Sequence, residues 1–227
     1  MRDFAHLVGV PLLLLLMSPL LLLLLPFFLL EQRRREKTDP AVAPRVEPAH
    51  VNELSAIENH DVSNQFSVFG SVKPGRFRRW SMRFFLFATD YAARHLYHRG
   101  GLGRVSTIPF ARWVPFDGGQ RLLFSSIYDG SLESYMDDFI NKVGFGLNLT
   151  FSGGIGYPRT RWLLFDGCKE KQVFKRVLRR HQVPTEVWWS AHPGLTAADK
   201  HRNGLIRAGI IKPLMTDSEV ERWMQLL

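Results

Sequence analysis

The stretch FARWVPFDGGQRLLFSSIYDG, residues 110–130, decides the fold class. Two runs rich in β-branched and aromatic residues, Ser106–Phe116 and Arg121–Tyr128, flank Asp117-Gly118-Gly119. Glycine accepts the positive φ that a tight reversal demands, so the two runs are predicted to pair as an antiparallel hairpin. Asp129-Gly130 then ends the second strand. Ser131 is placed to cap a helix reaching Val143, with Glu133 in its first turn.

Upstream, Gln65–Lys73 alternates as a strand and closes on Pro74-Gly75, a turn signal. Residues 79–97 carry no proline or glycine and read as a helix. Downstream, Phe145–Pro158 is glycine-rich and reads as irregular. Thr160–Phe165 reads as a strand, Lys169–Gln182 as a helix, Thr185–Ala191 as an edge strand and Thr196–Ile211 as a final helix. Strand, helix, hairpin, helix, strand is the split β-α-β order of ferredoxin-like folds, an α+β class with helices on one face of an antiparallel sheet. The other face then needs cover from a second copy, and no internal repeat supplies one.

The N-terminus is of another kind. Leu7–Leu30 holds no charged residue. A helix over these 24 positions reaches ~36 Å, against a hydrocarbon core of ~30 Å. Pro11, Pro19 and Pro26 predict kinks, tolerated in lipid because no other conformation satisfies the backbone there. A cleaved signal peptide would have a shorter apolar region and a nearby small-residue cleavage site. Here the run passes straight into Glu31-Gln32-Arg33-Arg34-Arg35-Glu36-Lys37, and Ala41-Val42-Ala43 lies too far beyond. Residues 1–37 are thus predicted to be a transmembrane anchor with a basic flank. The cations after the span place the following domain on the cytoplasmic side of the cell membrane, single-pass, with the N-terminus outside. Residues 38–57 read as a linker, with three prolines in 38–50 and a short helix at 49–58. Residues 58–211 form the α+β domain, and 212–227 a tail or short helix.

The net charge is +9, of which residues 38–227 keep +7. A basic domain beside a membrane faces anionic lipid; no zinc-finger, RNP or recognition-helix pattern favours nucleic acid. Cys168 is the sole cysteine, so no internal disulfide and no cysteine-based zinc site can form.

Residues 58–210 contain NQFSVFGSVKPGRFRRW (64–80), FARWVPFDGGQRLLFSSIYDGSLESYMDDFINKVGFGLNLTFS (110–152), GYPRTRW (156–162) and PTEVWWSAHPGLTA (184–197). On these strings the chain resembles a family of largely uncharacterised bacterial proteins similar to the dimeric α/β-barrel superfamily. That superfamily is built on ferredoxin-like units and includes dye-decolourising-type haem peroxidases. The resemblance implies a ferredoxin-like domain with a second copy covering its sheet. It also implies, as the alternative function, a haem- or oxygen-linked peroxidase-type enzyme, with His192 as haem ligand by analogy. In the family pattern a histidine precedes FARW, and here Pro109 stands there, which puts a metal or haem role at that position in doubt.

Several residue groups suit chemistry. Arg112, Arg159 and Arg161, the latter two beside Gly153, Gly154 and Gly156, suit a carboxylate or phosphate ligand. Arg76, Arg78, Arg79, Trp80 and Arg83, interleaved with Phe77, Phe84, Phe85 and Phe87, read as a basic-aromatic membrane-interface segment. Charges at Arg83, Asp90 and Arg94 argue against a second span. Asp129, Glu133, Asp137 and Asp138 offer an acid/base or cation site, but more simply a helix cap and solvated face. His95 and His98 have a metal-ligand spacing without a third ligand, and Cys168 sits in a turn that does not activate a thiol. No cofactor follows from the residues, and they leave enzyme or binding domain open. The function they favour is a membrane-anchored domain that binds anionic lipid or a partner protein, as an accessory subunit of a membrane assembly.

Overall fold

The hairpin forms where the glycines place it. In the computed structural model, which describes residues 2–40, 45–59, 61–97 and 108–227, strands β2 (Phe110–Phe116) and β3 (Arg121–Asp129) pair antiparallel, from Phe110 opposite Ile127 to Phe116 opposite Arg121. Gly118 and Gly119 at the tip have φ of 64° and 89°. The predicted start of β2, at Ser106, lies outside the described residues. On the other side of β3, β1 (Ser63–Ser71) pairs antiparallel over its whole length, from Ser63 opposite Asp129 to Ser71 opposite Arg121. The sheet order is therefore β1-β3-β2.

The alternate residues Phe124, Ser126 and Tyr128 of β3 are buried on one face. Helix α4 (Leu132–Phe151) lies across them, started by Ser131, whose hydroxyl accepts the Ser134 N–H. Phe139 stacks on Phe124 at 5.9 Å between ring centroids and Tyr135 on Tyr128 at 4.5 Å, with the Tyr135 and Ser126 hydroxyls 2.8 Å apart. Aromatic pairs of this kind add about 1 kcal/mol each beyond the area they bury. This aromatic stack is the core.

Three expectations are corrected. Phe145–Phe151 is not irregular: α4 continues through Gly144 and Gly146, interrupted only at Val143 (φ −129°, ψ 20°). Gly144 lets Cys168 Sγ approach, since a Cβ there would lie 3.1 Å from the sulfur. Thr160–Phe165 is not one strand but two short ones, β4 (Thr160–Arg161) and β5 (Phe165–Asp166), because Trp162 and Leu163 between them turn left-handed. No strand forms at Thr185–Ala191. The edge of β1 is met instead by Gln182, bridged to Val68, by the Val183 N–H donated to Ser67 O at 2.9 Å, and at its end by the Ile155 N–H donated to Ser71 O at 2.8 Å. A four-stranded sheet is thus reduced to three strands and isolated bridges.

Helix α2 (Pro48–Ile57) buries Leu54, and Glu58 just after it holds Arg179 and Gln182 at the end of α5 (Lys171–His181). Helices α6 (Ala197–Ile210) and α7 (Asp217–Met224) form an outer pair, with Trp223 Nε1 donating to Ile206 O at 2.9 Å. The N-terminal helix α1 (Arg2–Thr38) runs unbroken through its three prolines. Helix α3 (Arg76–His95) lies antiparallel beside it: His95 meets His6 at 2.8 Å, Tyr91 donates to Leu7 O at 3.0 Å, and Phe77 packs on Phe28 at 5.3 Å.

Gly167 tests this packing. Its φ is +60°, and a Cβ there would stand 2.3 Å from Asn148 Oδ1, the oxygen that accepts from Tyr157 OH and Cys168 N. Gly118 has nearly the same φ but open space around it. Gly118→Ala should cost only the left-handed strain, ~1–2 kcal/mol, whereas Gly167→Ala should cost ~3 kcal/mol or more from the added clash. Denaturant unfolding of the two variants measures the difference; equal losses would refute the buried Asn148 network.

Candidate functional site

The apolar helix ends in a polar clamp. Glu36, in the last turn of α1, is 1% exposed. Its carboxylate accepts from the Leu163 N–H at 2.8 Å, the Trp162 N–H at 2.9 Å, Thr160 Oγ1 at 3.0 Å, Arg33 Nη1 at 3.1 Å and Gln32 Nε2 at 3.2 Å. Trp162 and Leu163 have φ of 58° and 60°, and two successive left-handed residues aim their N–H groups into one concavity, an anion-holding nest. Burial by itself raises the Glu36 pKa, but the hydrogen bonds from the Leu163 and Trp162 N–H groups, Gln32 and Arg33 together outweigh it and hold the carboxyl below its ordinary range.

One turn on, Asp39 bridges Lys73 and Arg78, each at 2.8 Å, and Lys73 Nζ also donates to Ser152 O at 2.8 Å. Burial pushes the Lys73 ammonium down, against the pull of Asp39. Arg159 donates to the Asp39 carbonyl. Beside this cluster, between the start of α3 and the hairpin tip, a polar cleft of about 320 Å³ is lined by Lys73, Arg79, Asp117, Gln120 and Arg121. Arg121 pairs with Asp117 and lies over the Phe69 ring at 5.1 Å. The Arg79 guanidinium has no acidic partner among the described residues. The cleft holds three cations to one acid, a surplus that suits an anion.

The residues singled out from sequence are dispersed differently. Arg112, Arg159 and Arg161 do not converge: Arg112 is exposed on edge strand β2, Arg159 serves Asp39, and Arg161 faces Asp166 at 3.4 Å and the Phe165 ring. The basic-aromatic segment splits. Arg78 is 4% exposed and belongs to the Asp39 cluster, while Arg76, Trp80 and Arg83 are exposed and Arg79 lines the cleft. Arg83 donates to Gly118 O at 2.7 Å and lies over Trp80. The acidic group is structural: Asp129 accepts from Ser63 and from the first N–H of α6, and Glu133 and Asp137 pair with Lys175 of α5. Cys168 is buried, donates to Gly144 O, and its thiol is pushed up by that burial. His95 meets His6, and His192 is exposed; His98 lies outside the described residues.

Sequence reading missed Glu36, Lys73 and Arg121. The available signal was a lone acid inside a basic run, four residues after Gln32, an i, i+4 pair. Nothing in the sequence joins it to residue 162. Comparison with protein-family models, with curated proteins and with solved structures finds no match.

Glu36→Ala would strand the buried Leu163 N–H and the part-buried Trp162 N–H, at a cost of ~2–4 kcal/mol. Because the folded pKa lies below the ordinary 4.5, the carboxylate's stabilisation is full above that value and drains away as pH falls through the folded pKa. Acid titration of stability should therefore show a limb that Glu36→Gln lacks. Amide hydrogen exchange at Trp162 and Leu163 reports it directly: faster exchange in both variants is expected, and unchanged exchange would refute the clamp.

Proposed function

We propose that this chain is a membrane-tethered domain: α1 spans the bilayer with its N-terminus outside, and the α+β domain rests on the cytoplasmic face, bound to anionic lipid. The observation that carries the reading is α1 itself. Among the described residues it is the one helix long and apolar enough to cross a membrane, and its apolar stretch is not buried within the protein. Arg33, Arg34, Arg35 and Lys37 at its foot support the orientation. The cations at Arg76, Arg79 and Arg83, without acidic partners among the described residues, with Arg121 beside them at the hairpin tip, support lipid as the ligand, since each cation near an anionic surface contributes ~1 kcal/mol.

The domain is read as a ferredoxin-like unit, a resemblance supported by the order β1-β3-β2 and by Gln182 standing where a fourth strand would flank β1. The sheet face away from α4 carries Phe69, Phe110 and Phe116, the latter two exposed. That face is where a second copy or another membrane subunit would dock, as an accessory-subunit role requires.

Two outcomes follow. A reporter fused after Leu227 should be active only when its function requires the cytoplasm; activity on the far side would overturn the orientation. The fragment from Glu31 onward keeps Gln32, Arg33 and Glu36, and should sediment with anionic vesicles at low salt and release at high salt. Arg76→Gln, Arg79→Gln, Arg83→Gln and Arg121→Gln together should weaken that binding at least tenfold with the far-UV spectrum unchanged. Arg78 is left in place because its loss would unbalance Asp39. Equal binding to neutral vesicles would sink the lipid reading.

A further inference from the structure

The polar cleft of about 320 Å³ between the start of α3 and the hairpin tip carries more donors than its own residues use. The Arg79 guanidinium is half-buried, lines the cleft, and meets no hydrogen-bonding, charged or aromatic partner among the described residues. Arg121 turns its Nε to Asp117 and its plane to the Phe69 ring, which leaves both Nη groups without a partner among the described residues. Lys73 Nζ has three N–H donors and uses two of them, on Asp39 and on Ser152 O. Charge is in surplus as well. In the cleft and the Asp39 cluster behind it, the four cations Lys73, Arg78, Arg79 and Arg121 face the two carboxylates Asp39 and Asp117. Two positive charges are left over.

We propose that this cleft binds a phosphomonoester, with Arg79 as a bidentate clamp and Arg121 and Lys73 closing on the remaining oxygens. The fork of a guanidinium matches two oxygens of one phosphate, and Arg79 has its whole fork to offer. A phosphomonoester carries about −1.5 to −2 charge near neutral pH and three terminal acceptor oxygens. That matches two leftover charges and three separate cationic groups. A carboxylate brings one charge and two oxygens, and a phosphodiester brings one charge, so each leaves part of the set unmet. The volume lies at the lower end of small-molecule sites, ~300–1,000 Å³, which leaves room for a phosphate and a small polar body. A free small phosphate and a lipid headgroup present the same chemistry. Lys73 is bonded to Asp39, the residue after α1, so the cleft stands at the foot of the apolar helix, where the lipid reading places headgroups. The site stands on the cleft's own donors; that a lipid supplies the phosphate rests on the anionic-lipid reading.

One titration tests the site and a change of lipid tests the source. The full chain is held in nanodiscs of phosphatidylcholine, which carries no phosphomonoester, and titrated calorimetrically with glycerol 3-phosphate at physiological salt. One saturable site per chain is expected, with dimethyl phosphate, a monoanionic diester, binding at least tenfold more weakly. Arg79→Gln and Arg121→Gln should each weaken glycerol 3-phosphate binding at least tenfold. Arg79 has no partner to lose, so its variant reads the site and not the fold. Arg112→Gln removes the same charge from β2, outside the cleft, and should change the affinity no more than about twofold. No saturable binding, equal binding of the diester, or an equal loss in Arg112→Gln overturns the site. Phosphatidic acid, whose headgroup is a phosphomonoester, is then mixed into the discs. If that lipid fills the cleft, the apparent affinity for glycerol 3-phosphate should fall at least tenfold by competition. Phosphatidylserine at equal surface charge should give only the smaller loss due to repulsion. Equal effects of the two lipids overturn lipid as the source and assign the cleft to a free phosphate, with the site itself upheld.

Discussion

One buried carboxylate ties the end of the N-terminal helix to the rest of the protein. Glu36 must satisfy two oxygens away from water, and it does so with backbone N–H groups that only a doubly left-handed turn can present. Holding Trp162 and Leu163 left-handed costs ~1–2 kcal/mol each. Hydrogen bonds to a charged acceptor return ~1.5–3 kcal/mol each, so the strained turn is stable only while the carboxylate occupies it. The β4–β5 hairpin and the end of α1 therefore fold as one unit.

From that unit the remaining geometry follows by short steps. Asp39 lies three residues beyond Glu36 and draws Lys73 and Arg78 to it, which sets the start of α3 against the end of α1. The proline-rich stretch after residue 40 thus does not set the spacing between helix and domain; Glu36 and Asp39 do. With both ends of α3 fixed, by Asp39 at one and by the His6–His95 contact at the other, α3 stands clear of full contact with α4 and an apolar groove remains between them.

What the sequence made legible was whatever depends on neighbours in the chain. The hairpin at Asp117-Gly118-Gly119, the Ser131 cap and the apolar length of Leu7–Leu30 are local properties, set by φ preference, capping chemistry and hydropathy. What stayed hidden depends on partners outside the local chain, from 24 to 126 residues away. TRWLLF has strand composition, yet Glu36, 126 residues earlier than Trp162, turns its centre left-handed. Gly144 and Gly146 read as breakers, yet Cys168 and the open groove accept them within α4. Arg78 is chemically the same as Arg76 and Arg79, and only Asp39 makes it a buried residue.

If α1 spans a membrane as proposed, the basic run at its foot has two successive roles. Orientation is decided while the chain is unfolded, when Arg33, Arg34, Arg35 and Lys37 all count. After folding, Arg33 is turned to Glu36 and Arg35 to Glu31, and Arg34 lies 3.6 Å from Glu31 as well. Half of that charge is then compensated within the helix, two carboxylates against four cations, with Lys37 left without an acidic partner among the described residues. On that reading, further attraction of the folded domain to an anionic surface would come from the exposed Arg76 and Arg83 and the half-buried Arg79, none of which has an acidic partner among the described residues. In the proposed reading, the signal that would orient the helix and the surface that would meet lipid are largely different residues, separated by the folding of the Glu36 clamp.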